Sequence, residues 1–323
     1  MGSATSEPRL SDIAKHLILP EGITSTGWPA VRDRAKRFGL GFDRWQDGLG
    51  RAILAKRKDG MYAAGIDGVQ ICFPRQVGKT YTIGSMIFAL CTLNEGFFVL
   101  WTAHRTRTAD ETFRAMLGLS QRPEIAPYID GRPRQANGQQ EVRFMNGSRI
   151  LFGAREGGFG RGFAGVDSII FDEAQILGQR ALEDMVPAVN TAPNPLIIRL
   201  GTPPRPIDPS EAFTTFRKQA LKGELVNGLY IEMGADEDAD PEDRRQWRKA
   251  NPSFPHRTPE SAMLRMKSQM GPESFRREGL GIWDPEVASQ AIGREAWNAL
   301  TVDEPPSGLR WCAAVRFSVD GST

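Results

Sequence analysis

At 323 residues the chain exceeds one average domain, and its 40% hydrophobic and 25% charged residues are those of an ordinary globular protein with a sizeable core, neither disordered nor membranous. A formal charge of +2 excludes an overall field for polyanions, so any nucleic-acid contact has to come from local patches. Three scattered cysteines, Cys72, Cys91 and Cys312, form no C-x-x-C pair and read as reduced thiols of a cytosolic protein.

Met1 to Ser6 lacks the basic start and apolar centre of a signal peptide. Residues 1–30, punctuated by Ser, Pro and Gly, read as an N-terminal arm with little structure of its own. From Val31 to Lys58 nine Lys or Arg stand against three Asp, with Phe38, Phe42, Trp45, Leu49 and Ile53 at helical spacing. The basic face is either solvated surface or a phosphate contact. Gln46 in this helix either offers its amide to an adenine edge or is a plain exposed glutamine.

The stretch that organises the chain is Val69-Gln70-Ile71-Cys72-Phe73-Pro74-Arg75-Gln76-Val77-Gly78-Lys79-Thr80, followed by a helical run to Leu93. An apolar strand that stops and turns directly into a helix at Gly-Lys-Thr is the layout of a phosphate-binding loop, in which backbone N–H groups and the helix N-terminus face a polyphosphate. Lys79 then reaches the β- and γ-phosphates and the Thr80 hydroxyl holds Mg²⁺. Phe73 stands where the strict pattern has its first glycine, so the match is degenerate.

Phe97 to Trp101 is apolar on both faces and follows a helix, which predicts a parallel strand in a sheet covered on both sides. The most apolar stretch, Met86 to Trp101, is broken by Asn94, Glu95 and Gly96, so no membrane span is expected. Thr108 to Glu111 has capping-box spacing, and Glu141 to Phe152 alternates around Asn146-Gly147 as a hairpin. About a hundred residues beyond the loop, Ile169-Ile170-Phe171 ends in Asp172-Glu173. Asp172 there orients a Mg²⁺ shell and Glu173 polarises a water, although an acidic pair after a strand is also an ordinary helix start. Leu196 to Leu200 leads into Gly201-Thr202-Pro203-Pro204, where Thr202 either senses a γ-phosphate or belongs to a plain turn. Gly228 to Met233 adds a strand. Seven acids between Glu232 and Asp243, read as a solvated loop, and two helices up to Leu280 follow.

Taken together, Trp45-Gln46, Pro74 to Thr80, Arg161-Gly162, Ile169 to Ala174 and Leu200 to Thr202 resemble the ATPase half of the large terminase subunit of tailed bacteriophages over roughly residues 40 to 320. The resemblance implies an α/β fold of the P-loop NTPase (ASCE/RecA-like) class, a mostly parallel central sheet flanked by helices, plus a small helical linker subdomain. It divides the chain into an arm (1–30), an ATPase core (31–235), a helical linker (236–308) and the first strand of a truncated RNase H-like nuclease domain (309–323). It implies that Gln46 reads adenine, that Arg75, Gln76, Val77, Gly78, Lys79 and Thr80 bind phosphate, and that Thr80 and Asp172 hold Mg²⁺. By the same resemblance Glu173 with Lys79, Arg75 and Arg161 serve catalysis, Arg161 being offered to the neighbouring subunit's nucleotide with Arg155 or Arg105 as substitutes, and Thr202 is the coupling residue. Asp320 resembles the first metal-binding Asp of the nuclease, and the chain ends three residues later, so DNA cleavage is not expected. The implied cofactors are ATP and Mg²⁺. The implied partners are double-stranded DNA, the portal protein, the small terminase subunit and copies of the chain in a homo-oligomeric ring, in the cytoplasm of an infected bacterial host.

Gly-Lys-Thr, Asp-Glu-Ala-Gln and Gly-Thr-Pro also resemble the first motifs of a superfamily 2 helicase, which needs a second RecA-like domain that residues 204 to 323 do not suggest. A non-hydrolysing nucleotide-binding scaffold is favoured by Phe73 and opposed by the acidic pair. A nucleotide kinase has no use for Glu173 beside the Mg²⁺ ligand.

Overall fold

The apolar runs at Gly68–Cys72 and Phe98–Ala103 are buried on both faces and lie inside an eight-stranded sheet. The computed structural model describes residues 7–136 and 140–284, all within one compact unit. The chain opens with α1 (Leu10–Ile13), β1 (His16–Ile18), β2 (Ser25–Thr26), α2 (Trp28–Arg37), α3 (Arg44–Ile53) and β3 (Ala55–Lys56). The central strands and their crossovers follow: β4 (Gly68–Cys72), α4 (Lys79–Leu93), β5 (Phe98–Ala103), α5 (Thr106–Ser120), β6 (Glu141–Arg143), β7 (Arg149–Ala154) and β8 (Ser168–Phe171). Then come α6 (Gln179–Met185), β9 (Leu196–Gly201), α7 (Glu211–Lys222), β10 (Gly228–Glu232), α8 (Arg244–Ala250), α9 (Glu260–Gln269) and α10 (Pro272–Glu278).

The strand order is β1-β10-β4-β9-β8-β5-β7-β6, parallel except for the antiparallel edges β1 and β6, while β2 and β3 pair separately. Alternation explains why both faces need cover: Val99 and Trp101 of β5 pack with α2 to α5, whereas Phe98 and Leu100 pack with Met185 and Phe213 on the other side. The expected hairpin is present as β6 and β7, closed by the Gly147 N–H on Phe144 O at 3.0 Å.

One expectation is modified. Residues 1–30 read as an unstructured arm, yet the described part forms α1, which packs on α3, and β1, whose His16 pairs with Glu232 of β10. Three residues carry too little periodicity to announce a strand; a partner more than two hundred residues away supplies the order. Residues 204–284 contain one strand, β10, which joins the same sheet, and otherwise helices, so among the described residues no second RecA-like sheet exists. Trp247, Phe254, Met263, Phe275 and Leu280 form a small core of their own there. Among the described residues no helix is long and apolar enough to cross a membrane. Asp320, Cys312 and the strand expected at 309–323 lie outside the described residues.

Phe73 shows why the loop dispenses with its first glycine. Its N–H donates to Gly201 O at 3.1 Å, one further rung of the β4–β9 ladder, and its fully buried ring packs edge-on to Trp45 at 6.0 Å. Positive φ falls instead at Gln76 (60°) and Gly78 (102°). Replacing Phe73 by the consensus glycine removes a core side chain and relieves nothing. Phe73→Gly should therefore lower unfolding free energy by about 3–5 kcal/mol, read from urea midpoints, and an unchanged midpoint would contradict this packing.

Candidate functional site

In a parallel sheet the loops at the carboxyl ends of the strands share one rim, and ligands gather where the strand order switches. A cleft of about 500 Å³ opens there, above β4, β9 and β8, and Lys79, Thr80, Asp172, Glu173, Gln175 and Thr202 line it. β9 lies between β4 and β8, so Thr202 stands between the loop and the acidic turn. The loop and the acidic pair therefore meet across one intervening strand.

Gly78 caps α4 in the left-handed region, and the first-turn N–H groups of the helix, which have no intrahelical acceptors, start at the cleft lining. Lys79 Nζ folds over the loop and donates to Phe73 O and Pro74 O, both at 2.7 Å. Burial pushes the Lys79 ammonium down to about 8, opposed by attraction to Asp172. An anion in the loop would give this cation a better partner than two neutral carbonyls.

Asp172 leaves β8 with its Oδ1 accepting the Glu173 N–H at 3.0 Å and its Oδ2 accepting Trp101 Nε1 at 3.4 Å. Burial raises its carboxyl above the usual range, opposed by the hydrogen bond from the Glu173 N–H. Glu173 itself sits at φ 51°, a left-handed conformation that an L residue rarely takes, and starts a 3-10 turn over Ala174–Ile176. Thr202 donates its N–H to Gln175 Oε1 at 3.4 Å, while its hydroxyl is buried and has no hydrogen-bond partner. An unpartnered hydroxyl on the cleft wall fits a ligand oxygen. Among the described residues no group of three or more His, Cys, Asp or Glu holds a metal alone. Thr80 and the half-buried Asp172 suit a Mg²⁺ whose other ligands are phosphate and water oxygens.

Arg75, Gln76, Val77 and Gly78 also line the cleft, whereas Gln46 and Arg161 lie outside its lining. Gln46 is buried rather than an exposed helical glutamine: its Oε1 takes the Asp43 N–H at 2.8 Å and its Nε2 donates to Thr82 Oγ1 at 2.7 Å. It borders a second pocket of about 410 Å³ that shares Gln76, Val77 and Gly78 with the cleft. Arg75 is held by the Glu278 carboxylate at the end of α10, and its N–H donates to Glu278 O at 2.9 Å. Arg161 is exposed and pairs with Asp184 at 2.7 Å, outside the cleft lining. Arg105 is exposed at the N-cap of α5. Arg155 is buried and turned inward, so it is not available to a neighbouring subunit as it stands. The sequence reading missed Glu278, which no local signal could reveal because it is 203 residues from Arg75. It also missed Thr108, Glu111 and Thr112, which α5 brings to the cleft.

Solved structures with this arrangement were found by shape. The HK97 bacteriophage large terminase superposes with a TM-score of 0.66 at 19% identity, over 80% of this chain and 55% of that one. The ATPase domain of the Thermus phage P74-26 large terminase, as an arginine-to-alanine mutant, matches with a TM-score of 0.54 at 14% identity, over 77% of this chain and 97% of that one. The chain has the fold of the phage large terminase ATPase domain. It spans little more than half of the HK97 protein and nearly the whole P74-26 ATPase domain. No protein-family model and no curated protein matches the sequence.

Within this terminase-type fold Lys79 gives a pH test. Its folded value of about 8 lies below the ordinary 10.5, so between these values the unfolded chain holds more protons than the folded one. The burial cost is then fully present below pH 8 and is relieved as pH rises toward 10.5. The stability difference between the native chain and Lys79→Met should move in the native chain's favour across that window. A difference that stays flat from pH 8 to 10.5 would show that the ammonium is not buried as described.

Proposed function

We propose that the chain is the ATP-hydrolysing motor domain of a viral DNA-packaging terminase, which couples hydrolysis to translocation of double-stranded DNA into a procapsid. The observation that carries the reading is the single cleft on which the Lys79-Thr80 loop, the Asp172-Glu173 pair and Thr202 converge. The likeness in fold to terminase ATPase domains supports the same class.

In this reading the triphosphate lies along the loop N–H groups at the start of α4, and Lys79 exchanges its two carbonyl partners for β- and γ-phosphate oxygens. Thr80 and Asp172 hold Mg²⁺, which when bound neutralises phosphate charge. Glu173 accepts a proton from the attacking water and orients it in line with the γ-phosphoryl group. The unpartnered Thr202 hydroxyl receives a γ-phosphate oxygen, and Gln175 ties that strand tip to the acidic turn, so loss of phosphate is felt on both strands. The base occupies the second pocket beside Gln46. Each end of the Gln46 amide has one hydrogen-bonding position filled and one left, a donor and an acceptor that suit the adenine edge. Arg161 reaches the nucleotide of the next subunit in a homo-oligomeric ring whose partners are double-stranded DNA, the portal protein and the small subunit.

Phosphate release measured with and without double-stranded DNA tests the reading directly: slow release alone and a faster rate with DNA are expected, and no release under either condition would refute it. Glu173→Gln should lower turnover by about 10²–10⁴-fold while nucleotide binding survives. Arg161→Ala should cut the assembled, DNA-stimulated rate by about 10³-fold or more, the lower end for a missing finger. An unchanged assembled rate would remove Arg161 from the mechanism.

A further inference from the structure

The buried arginine behind the acidic turn has no place in the mechanism above. Arg155 follows β7 at the start of a 3-10 turn, and its guanidinium reaches three backbone carbonyls of the acidic turn. Nη1 donates to Asp172 O at 2.8 Å and to Thr102 O and Oγ1, each at 3.2 Å. Nη2 donates to Glu173 O at 3.1 Å and Ile176 O at 3.5 Å. The fork thus joins the end of β5 to the carbonyls of both acidic residues and of the turn that follows them.

We propose that Arg155 is a positioning residue for hydrolysis, which holds Glu173 in its left-handed conformation so that the carboxylate faces the cleft. The inference rests on the ATPase reading. Glu173 at φ 51° would relax toward ordinary backbone angles if nothing held it, and relaxation would swing its side chain away from the water position. Its carbonyl is fixed twice, by the Ile176 N–H at 3.0 Å and by Arg155 Nη2. Four of the five N–H vectors of the planar fork are directed at this turn or at Thr102, and the Nε lies buried without a partner. A lysine retains the charge but cannot reach carbonyls on both sides of the turn. Burial depresses the guanidinium to about 10, which leaves it charged at any working pH, and its charge also faces the Asp172 and Glu173 carboxylates.

A double-mutant cycle separates positioning from packing. Arg155→Lys should bind Mg·ATP within about threefold of the native chain and lose kcat about 10- to 100-fold with KM little changed, the range of a misplaced base. In a Glu173→Gln background the same substitution should produce no further loss of rate, while its effect on thermal midpoint persists. Additive rate losses in the cycle, or an unaltered kcat with only a lowered midpoint, would make Arg155 a packing residue and overturn the proposal. If the lysine variant does not fold, Arg155→Gln replaces it in the same cycle, and failure of both to fold likewise assigns the residue to stability alone. Absence of ATP hydrolysis by the native chain would sink the ATPase reading itself, whereas native activity matched by Arg155→Lys sinks only this inference.

Discussion

The Phe73 N–H on Gly201 O is the rung of the β4–β9 ladder that decides where two loops leave the sheet. Beyond it one chain turns through Pro74 toward Gly78 and α4, and the other passes through Thr202. Because β9 is also hydrogen-bonded to β8, with Phe171 opposite Arg199, the same register fixes the height of the acidic turn. A slip of one residue would send Phe73 out of the core and turn every side chain of the strand to the opposite face. Packing of Phe73 against Trp45 makes such a slip costly, so a hydrophobic contact determines the registration of polar groups that never touch it.

On that frame the cleft is electrostatically uneven. Lys79 stands against the carboxylates of Asp172 and Glu173, with Glu111 from α5 at the edge. Arg75 is neutralised by Glu278, and Arg155 faces away toward carbonyl oxygens. The raised Asp172 carboxyl and lowered Lys79 ammonium have a common origin, burial of charge before a ligand arrives. Preorganised groups of this kind cost stability in the empty protein and gain partners when filled.

Much of this was legible in the chain. β4, β5, β8 and β9 show as apolar runs closed by Gly-Lys-Thr, Asp-Glu and Gly-Thr-Pro, because strands buried on both faces need no polar alternation and their tips carry the chemistry. The strand order was not legible: the place of β9 between β4 and β8 depends on long-range pairing that leaves no periodicity. Gln46 illustrates a different limit. Its position in helix α3 follows from spacing, whereas its contacts with Asp43 and Thr82 depend on how α3 meets α4. Glu278, Arg155 and β1 were obscured for the same reason, since each acquires its role from a partner distant in sequence.

The resemblance implies Arg161 as the group lent to a neighbour with Arg155 or Arg105 as substitutes, and burial sets Arg155 apart from the other two. Arg155 has its donors inside the protein, and withdrawing it would leave carbonyls of the acidic turn without partners and expose a strained backbone. Arg161 is 61% exposed and held by one carboxylate, a surface pair whose loss costs about 0–1 kcal/mol. Gly160 and Gly162 on either side of it take positive φ, 108° and 80°. Arg105 is exposed as well and stands at the N-cap of α5, the helix that supplies Glu111 to the cleft. In the proposed motor Lys79 serves the subunit's own γ-phosphate, and Arg161, outside the cleft lining, is a further cation that is inexpensive to lend.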